Sequence, residues 1–380
     1  MSMEERRVVV LQANVRRFLV RSLYSSVHEQ YKIIEELVST EKSLLMKMEI
    51  MKNKYQTPIT QIKIVDFVFK IFLLFLPLDG CIKSSRAIVE IGEKFVDSFK
   101  IDSKASKLFD TITTLIFSFG EYAINYKVTK NVLNELKKNL IYKRMLSVLD
   151  ANQNGTTFDD LIIEPMQRLF RYPMFIQSLL KTFDEKIESE KLEKEILVKT
   201  NHEFARYITH VNKISEMRAE LMTVADRLDY FTLLVPRRFY IGGEIMTYNK
   251  KKCEGHLFND RIIWYSIQKS NKLGKQVRYQ LEGEIVFNDK LSCHGSKHVL
   301  IFGYPGLMPI QVMINSKKTI AKWVLTINSV IKSRVWLMKE SNDWLHHSNN
   351  FEFVSQIGPI KQKEEKTKSK KKEKQKSIKK

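Results

Sequence analysis

Glycine is distributed so unevenly along this 380-residue chain that it divides the fold before any other feature is read. Of thirteen glycines, only Gly80, Gly92, Gly120 and Gly155 precede residue 241, whereas eight fall between Gly242 and Gly306. Glycine destabilises helix interiors and is favoured in tight turns and at close backbone approaches. The first part therefore reads as long helices and the second as strands joined by turns. No internal repeat is present.

Periodicity agrees with that division. Ile34, Leu37, Val38, Leu45 and Met48 share one face of a helix starting near Val27, and Phe204, Tyr207, Ile208, Val211 and Ser215 share one face of a late helix. The polar stretch 151–160, "ANQNGTTFDD", separates helices. Beyond it the period changes. Residues 238–248 and 256–267 read as strands, with Asn259-Asp260 as a turn, and shorter strands follow at "QVRYQL", "HVLIF" and "IQVMI". Ser316 or Asn315 caps a closing helix with Ile320, Trp323, Val324, Ile327 and Ile331 on its apolar face. The expected architecture is an elongated all-α bundle followed by a small β-barrel capped by a C-terminal helix.

Charge and cysteine content narrow the function classes. The net charge is +21, and residues 361–380 contribute +8 of it through eleven Lys and three Glu. That tail has no aromatic residue and reads as disordered. Basic excess suits nucleic acid, anionic membrane or an acidic protein, and composition does not choose among them. Cys81, Cys253 and Cys293 are far apart, which disfavours a disulfide framework or a zinc site and suits a reducing compartment. The longest apolar run, 64–78, is broken by Asp66 and Lys70 and reads as a buried helix too short to span a bilayer. With no secretory signal evident, a soluble cytoplasmic protein is expected.

Two helical segments carry more specific information. Residues 164–175, "EPMQRLFRYPMF", place Pro165 in the first turn of a helix and Pro173 inside it. Glu164, Gln167, Arg171, Met174, Ser178 and Lys181 form a mostly polar stripe opposite Leu169, Tyr172, Ile176, Leu180 and Phe183. Glu41 lies within the apolar stripe of the early helix, where an unpaired carboxylate is costly. Either an internal arginine such as Arg168 or Arg171 satisfies it, or it sits at an interface completed by a partner. Near the N-terminus, 11–24 form a basic amphipathic helix of the kind that EF-hand proteins grip or that lies on membranes.

The string "LIIEPMQRLFRYPMFIQSLLK" (161–181) resembles the third conserved region of the Dbl-homology domain. Residues 33–48, "IIEELVSTEKSLLMKM", resemble its first region and include the Thr40-Glu41 pair. Residues 117–139 resemble its second region, and "HVNKISEMRAEL" (210–221) resembles its last long helix, with Asn212 as the interface asparagine. The strand-rich part is similar to a pleckstrin-homology domain, on "HLFNDRIIWY" (256–265) and Trp323. Leu11, Gln12, Arg16, Arg21 and Tyr24 match an IQ motif, with Arg17 in place of its usual glycine.

These resemblances imply the following organisation: an IQ-like helix at 1–26, a Dbl-homology domain at 27–222, a linker at 223–236, a pleckstrin-homology domain at 237–338, and an extension at 339–380. They imply a guanine-nucleotide exchange factor for Rho/Rac-family GTPases, with a non-catalytic scaffold as the alternative. Glu41 is expected to engage switch I, and Arg171 and Asn212 switch II, while Gln167 and Arg168 support that surface and Arg168 orients Glu41. Calmodulin or another EF-hand protein is the partner implied at the N-terminal helix. Lys250, Lys251 and Lys252 are the phosphoinositide candidates, although the Lys-x-x-x-Arg-x-Arg pattern is missing, and recruitment to membrane is expected. No nucleic-acid motif, cofactor site, metal site or catalytic constellation is found, so no bond-making chemistry is expected.

Overall fold

The computed structural model describes residues 3–62, 64–100, 102–151, 155–184, 187–235, 237–268 and 278–332. The Lys-rich tail and the 339–380 extension lie outside them. Contacts divide the chain into two compact units, Met1–Ala219 and Glu220–Lys380.

The first unit is helical. It comprises α1 (Met3–Ile50), a π-helical turn (Met51–Gln56), α2 (Thr57–Gln61), α3 (Val65–Phe75), α4 (Leu78–Asp97), α5 (Ala105–Leu115), α6 (Phe117–Lys138), α7 (Leu140–Ala151), α8 (Phe158–Leu180) and α9 (Glu188–Leu228), the last continuing past the division. The helix expected to start near Val27 is instead the second half of α1, which runs unbroken from Met3. Its core face carries Ile34, Leu37, Val38 and Met48, all buried, with Leu44 rather than Leu45 completing the stripe. No helix among the described residues is long and apolar enough to cross a membrane. The 64–78 run forms α3 and the start of α4, with Ile71, Leu73, Leu74 and Phe75 buried but Val68 and Phe72 half exposed.

Helix α8 corrects the reading of Pro165. The helix begins seven residues earlier, at Phe158, so both Pro165 and Pro173 lie inside it. Its start is set by a reciprocal cap: Thr157 Oγ1 accepts from the Asp160 amide, and the Asp160 carboxylate accepts from the Thr157 amide at 2.9 Å. Close helix approach is bought by glycine at one position in particular. A Cβ on Gly120 of α6 would lie 1.7 Å from the Tyr207 hydroxyl of α9, so no side chain fits there.

The second unit holds one seven-stranded antiparallel sheet in the order β4-β3-β2-β1-β7-β6-β5. The strands are β1 (Tyr240–Tyr248), β2 (Lys251–Phe258), β3 (Arg261–Gln268), β4 (Arg278–Val286), β5 (Ser292–Ser296), β6 (Val299–Gly303) and β7 (Ile310–Met313). Helix α10 (Lys317–Lys332) closes the unit, burying Ile320, Trp323, Ile327 and Val330. The cap is Ser316, whose Oγ accepts from the Thr319 amide at 3.3 Å. The helix seats against β5, where a Cβ on Gly295 would meet Ile320 Cγ2 at 2.6 Å.

Two turns explain the signals seen in sequence. Asn249 and Lys250 both have positive φ, 47° and 64°, as a two-residue hairpin between twisted strands requires. Asn259 and Asp260 turn β2 into β3 but are buried. Asn259 Oδ1 accepts from the Phe239 amide at 2.9 Å, and Arg238 donates two 2.8 Å hydrogen bonds to the Asp260 carboxylate.

Candidate functional site

The sequence left Glu41 with two possible partners, an internal arginine or an incoming protein. In the structure the carboxylate is fully buried and satisfied from within. Arg168 Nε donates to Glu41 Oε2 at 2.6 Å, the Tyr172 hydroxyl donates to the same oxygen at 2.9 Å, and Ser85 Oγ donates to Oε1 at 2.6 Å. The other two nitrogens of Arg168 are also engaged, Nη1 donating to Thr40 Oγ1 and Nη2 to the Leu37 carbonyl, each at 2.9 Å. Glu41 therefore has no face to offer switch I, and its expected contact role is corrected to an internal one. Arg168 is likewise buried, consistent with orienting Glu41 rather than touching a partner.

Electrostatics fits this closed cluster. Burial works against the Arg168 charge, but Tyr172 and Glu41 outweigh it and hold the guanidinium pKa above its ordinary value. Burial first, and the Glu41 charge second, push the Tyr172 phenol well above its usual range, so it stays a donor. A buried ion pair in which every nitrogen of the guanidinium and both carboxylate oxygens are hydrogen-bonded is the arrangement under which low dielectric is tolerated.

The cluster fixes the register of α1 against α8. Lys47 bonds Glu164, Thr40 bonds Arg168, and Ser26 bonds the Thr182 carbonyl, so the two helices run antiparallel. In that register Arg171 lies level with Leu37. Arg171 and Gln167 are exposed, and Arg171 forms no ion pair among the described residues. It borders a small polar notch with Thr40, Ser43, Lys47 and Glu164.

The same register brings forward a residue that sequence reasoning passed over. Glu36 is exposed and forms no ion pair among the described residues. It lies one turn before Thr40 on the stripe that continues through Ser43 and Lys47 beside α8. Glu36 and Arg171 are thus opposite, uncompensated charges on one shelf, at nearly the same level beside the Arg168 clamp. The available signal was helical phase relative to Thr40, but an adjacent Glu35 made the choice ambiguous without the contacts of α8.

Asn212 is exposed on α9. The Phe204 ring of α9 lies 6.0 Å from that of Tyr172, which puts Asn212 about two helical turns along from Arg171, near the level of Glu164. Leu11, Gln12 and Arg16 are exposed on the N-terminal part of α1, and Arg21 and Tyr24 belong to the same helix. In the second unit Lys250 occupies the β1–β2 turn and Lys251 and Lys252 open β2. They are not equivalent, because the Lys251 ammonium is held by Glu282 at 2.8 and 3.0 Å.

No group of His, Cys, Asp and Glu among the described residues could hold a metal ion. All three cysteines are buried and free. A groove of about 430 Å³ is lined mainly by Ile62, Val68, Ile71, Phe72 and Phe75, with Thr60 and Asp79 among its polar residues.

Comparison with known proteins follows the same division. The RhoGEF domain family matches residues 33–212. The chain is similar to the human Rho guanine nucleotide exchange factor TIAM2, with 25% identity over 233 residues covering 56% of this chain and 13% of that protein. It is also similar to the Dictyostelium discoideum guanine exchange factor for Rac 30, with 22% identity over 287 residues covering 72% of this chain and 17% of the relative. The chain thus spans less than a fifth of the length of either relative. Among solved structures, autoinhibited Vav1 superposes with a TM-score of 0.51 at 12% identity, over 81% of this chain and 58% of that one. Residues 33–212 thus match the RhoGEF domain family, and the fold of the described residues, a helical unit followed by a seven-stranded sheet closed by a C-terminal helix, is similar to that of Vav1.

Proposed function

We propose that the helical unit accelerates GDP release from a Rho-family GTPase by holding the nucleotide-free form more tightly than the nucleotide-bound one. Catalysis of this kind is differential binding: the switch segments of the GTPase are the two-state elements, and the exchange factor biases them. No covalent step on this chain is involved. The observation that carries the reading is the shelf on α1 and α8, where Glu36 and Arg171 stand exposed and unpaired at nearly the same level beside a sealed Arg168–Glu41 clamp.

Glu36 takes the acidic contact first expected of Glu41. Arg171 offers a planar guanidinium able to pair bidentately with a carboxylate or backbone carbonyls. Gln167 and Asn212 extend the surface along α8 and α9. The relatives named for exchange on Rho and Rac support a partner of that class for this chain. Fluorescent-GDP release across a panel of purified Rho-class GTPases tests the reading. Acceleration on at least one, abolished by Arg171→Ala in a folded variant, supports it; a folded chain silent on every member identifies a non-catalytic scaffold instead.

Three finer readings accompany it. Residues Leu11, Gln12, Arg16, Arg21 and Tyr24 form a site for calmodulin or a similar EF-hand protein, supported by their exposed or helical placement on α1. Lys250 and Lys252, both exposed, attract anionic lipid, with Lys251 contributing less because Glu282 neutralises it. The protein acts in the cytoplasm and at the membrane surface to which prenylated GTPases are anchored.

A further inference from the structure

Helix α7 is held to the bundle by one of its faces. Asn139 Oδ1 accepts from the Ile141 amide at 3.0 Å and so starts the helix. Tyr142 and Leu146 are buried, and the Tyr142 hydroxyl donates to the Ile62 carbonyl at 2.9 Å. At the far end the Asp150 carboxylate accepts from the Tyr55 hydroxyl and from the Phe158 amide, each at 2.9 Å. These anchors fix the rotation of α7 about its own axis, and with it the face turned outward.

That outward face is apolar. Leu140, Ile141 and Val148 are 70%, 55% and 63% exposed, and Met145 is half-buried beside them. At about 100° per residue the four lie within an arc of roughly 140°, with Arg144 inside it. Apolar side chains scattered singly over a surface need no explanation, but a stripe along one side of a fixed helix marks an interaction site.

Charge around the stripe is of one sign. Between Phe117 and Ala151 the exposed side chains include Lys127, Lys130, Lys138, Lys143 and Arg144 and no carboxylate. Glu121 is half-buried, Glu135 is engaged by Lys70, and Asp150 is turned inward. Lys138, Lys143 and Arg144 form no ion pair among the described residues.

An apolar arc rimmed by uncompensated cations fits an anionic bilayer, whose headgroups receive the cations while the acyl boundary receives the apolar side chains. Arg144 suits the middle of the arc, because its long stem packs with the apolar groups and its head reaches the phosphates. Nucleic acid offers the charge without an apolar layer, and a second copy of this chain carries the same net charge of +21 and repels the first.

We propose that the outer face of α7 docks on an anionic lipid surface, with Leu140, Ile141 and Val148 entering the headgroup layer and Lys138, Lys143 and Arg144 meeting lipid phosphates and carboxylates. This contact belongs to the helical unit, involves none of Lys250, Lys251 and Lys252, and does not depend on the exchange reading.

The experiment uses the intact chain carrying Val148→Cys labelled with the environment-sensitive dye NBD. The native Cys81, Cys253 and Cys293 are buried, so the new thiol is the reactive one. The probe is vesicles of phosphatidylcholine with about a third phosphatidylserine. On these the emission is expected to move to the blue and rise about twofold or more, as the dye leaves water, and to change little on phosphatidylcholine alone. Leu140→Asp with Ile141→Asp should abolish that response, while the chain, still attracted through its other lysines, continues to sediment with the vesicles. Lys143→Glu with Arg144→Glu should reduce the response about threefold or more. Both pairs lie at exposed positions, and acids are favourable in a first helical turn, so thermal melting should match that of the parent. A dye that stays in water while the chain sediments with anionic vesicles overturns the docking, as does a chain that does not bind them. A response that survives the Asp pair, that is equal on phosphatidylcholine alone, or that arises without vesicles on adding duplex DNA or raising the protein concentration also overturns it.

Discussion

Arg168 of α8 and Glu41 of α1 meet at 2.6 Å with their side chains 2% and 0% exposed, and Tyr172, Ser85, Thr40 and the Leu37 carbonyl engage the atoms that remain. The pair joins the two helices on which Glu36 and Arg171 stand. It is part of the support beneath the exposed shelf.

Removing one partner leaves an uncompensated charge in the core, so Glu41→Ala or Arg168→Ala is expected to cost ~3–5 kcal/mol of stability. Urea denaturation checks this. Exchange activity should fall in proportion to the folded fraction, and a stably folded Glu41→Ala protein with specific loss of exchange would return the contact role to Glu41.

The shelf residues should behave in the opposite way. Glu36→Ala and Arg171→Ala remove exposed, unpaired charges, so melting temperature should stay within about a degree or two of wild type. Loss of an interface charge pair costs roughly 2–5 kcal/mol, which amounts to a thirtyfold or greater loss of kcat/KM for GDP release. Arg171→Lys should recover only part of that activity, because an ammonium lacks the planar fork.

Gly120 provides a packing test remote from the shelf. Gly120→Ala would drive a methyl group to 1.7 Å from the Tyr207 hydroxyl and 2.7 Å from its Cζ. Tyr207 is 6% exposed, and its ring stands edge-on to Phe117 at 5.4 Å between centroids, so it has little room to retreat. A loss of ~1–3 kcal/mol or more is expected, measured by chemical denaturation.

His256 of β2 predicts a pH dependence in the second unit. Burial first, and the nearby Arg227 charge second, lower its pKa to about 3 from an ordinary 6.5. Arg227 Nη2 lies 3.5 Å from Nε2, and Glu254, itself paired with Arg227 at 3.0 Å, faces the same ring. A depressed histidine favours the neutral form in the folded state, so its stability contribution is complete above about pH 6.5 and declines as pH falls toward 3. The slope from one proton is at most ~1.4 kcal/mol per pH unit. Guanidinium midpoints measured between pH 7 and 4 should therefore decline less steeply in His256→Gln than in wild type.

The division into helical and sheet parts was legible because glycine is scarce in one and frequent in the other. Glu41 was legible as a problem, a carboxylate on an apolar stripe, and Arg168 was among the partners that could solve it. The solution itself was not legible, because periodicity gives a residue's phase on its own helix and says nothing of the helix opposite. Glu36 stayed hidden for the same reason: the bonds between α1 and α8, those of Ser26, Thr40 and Lys47, are what place it beside Arg171. The start of α8 was missed although Thr157 and Asp160 have the spacing of a reciprocal cap, since Pro165 drew the boundary to itself. Strand β5, "SCHGS", has one buried side chain, Cys293, and so lacks the alternation that marks a strand.

The antiparallel seating of α1 on α8 also limits how such a surface can diversify. Sliding one helix past the other by a single turn would strand a carboxylate and a guanidinium in the dry interior, a change too expensive to pass through gradually. New partner preferences must then arise by exchanging side chains at places such as Glu36, Ser43 and Gln167 while the scaffold beneath stays in step.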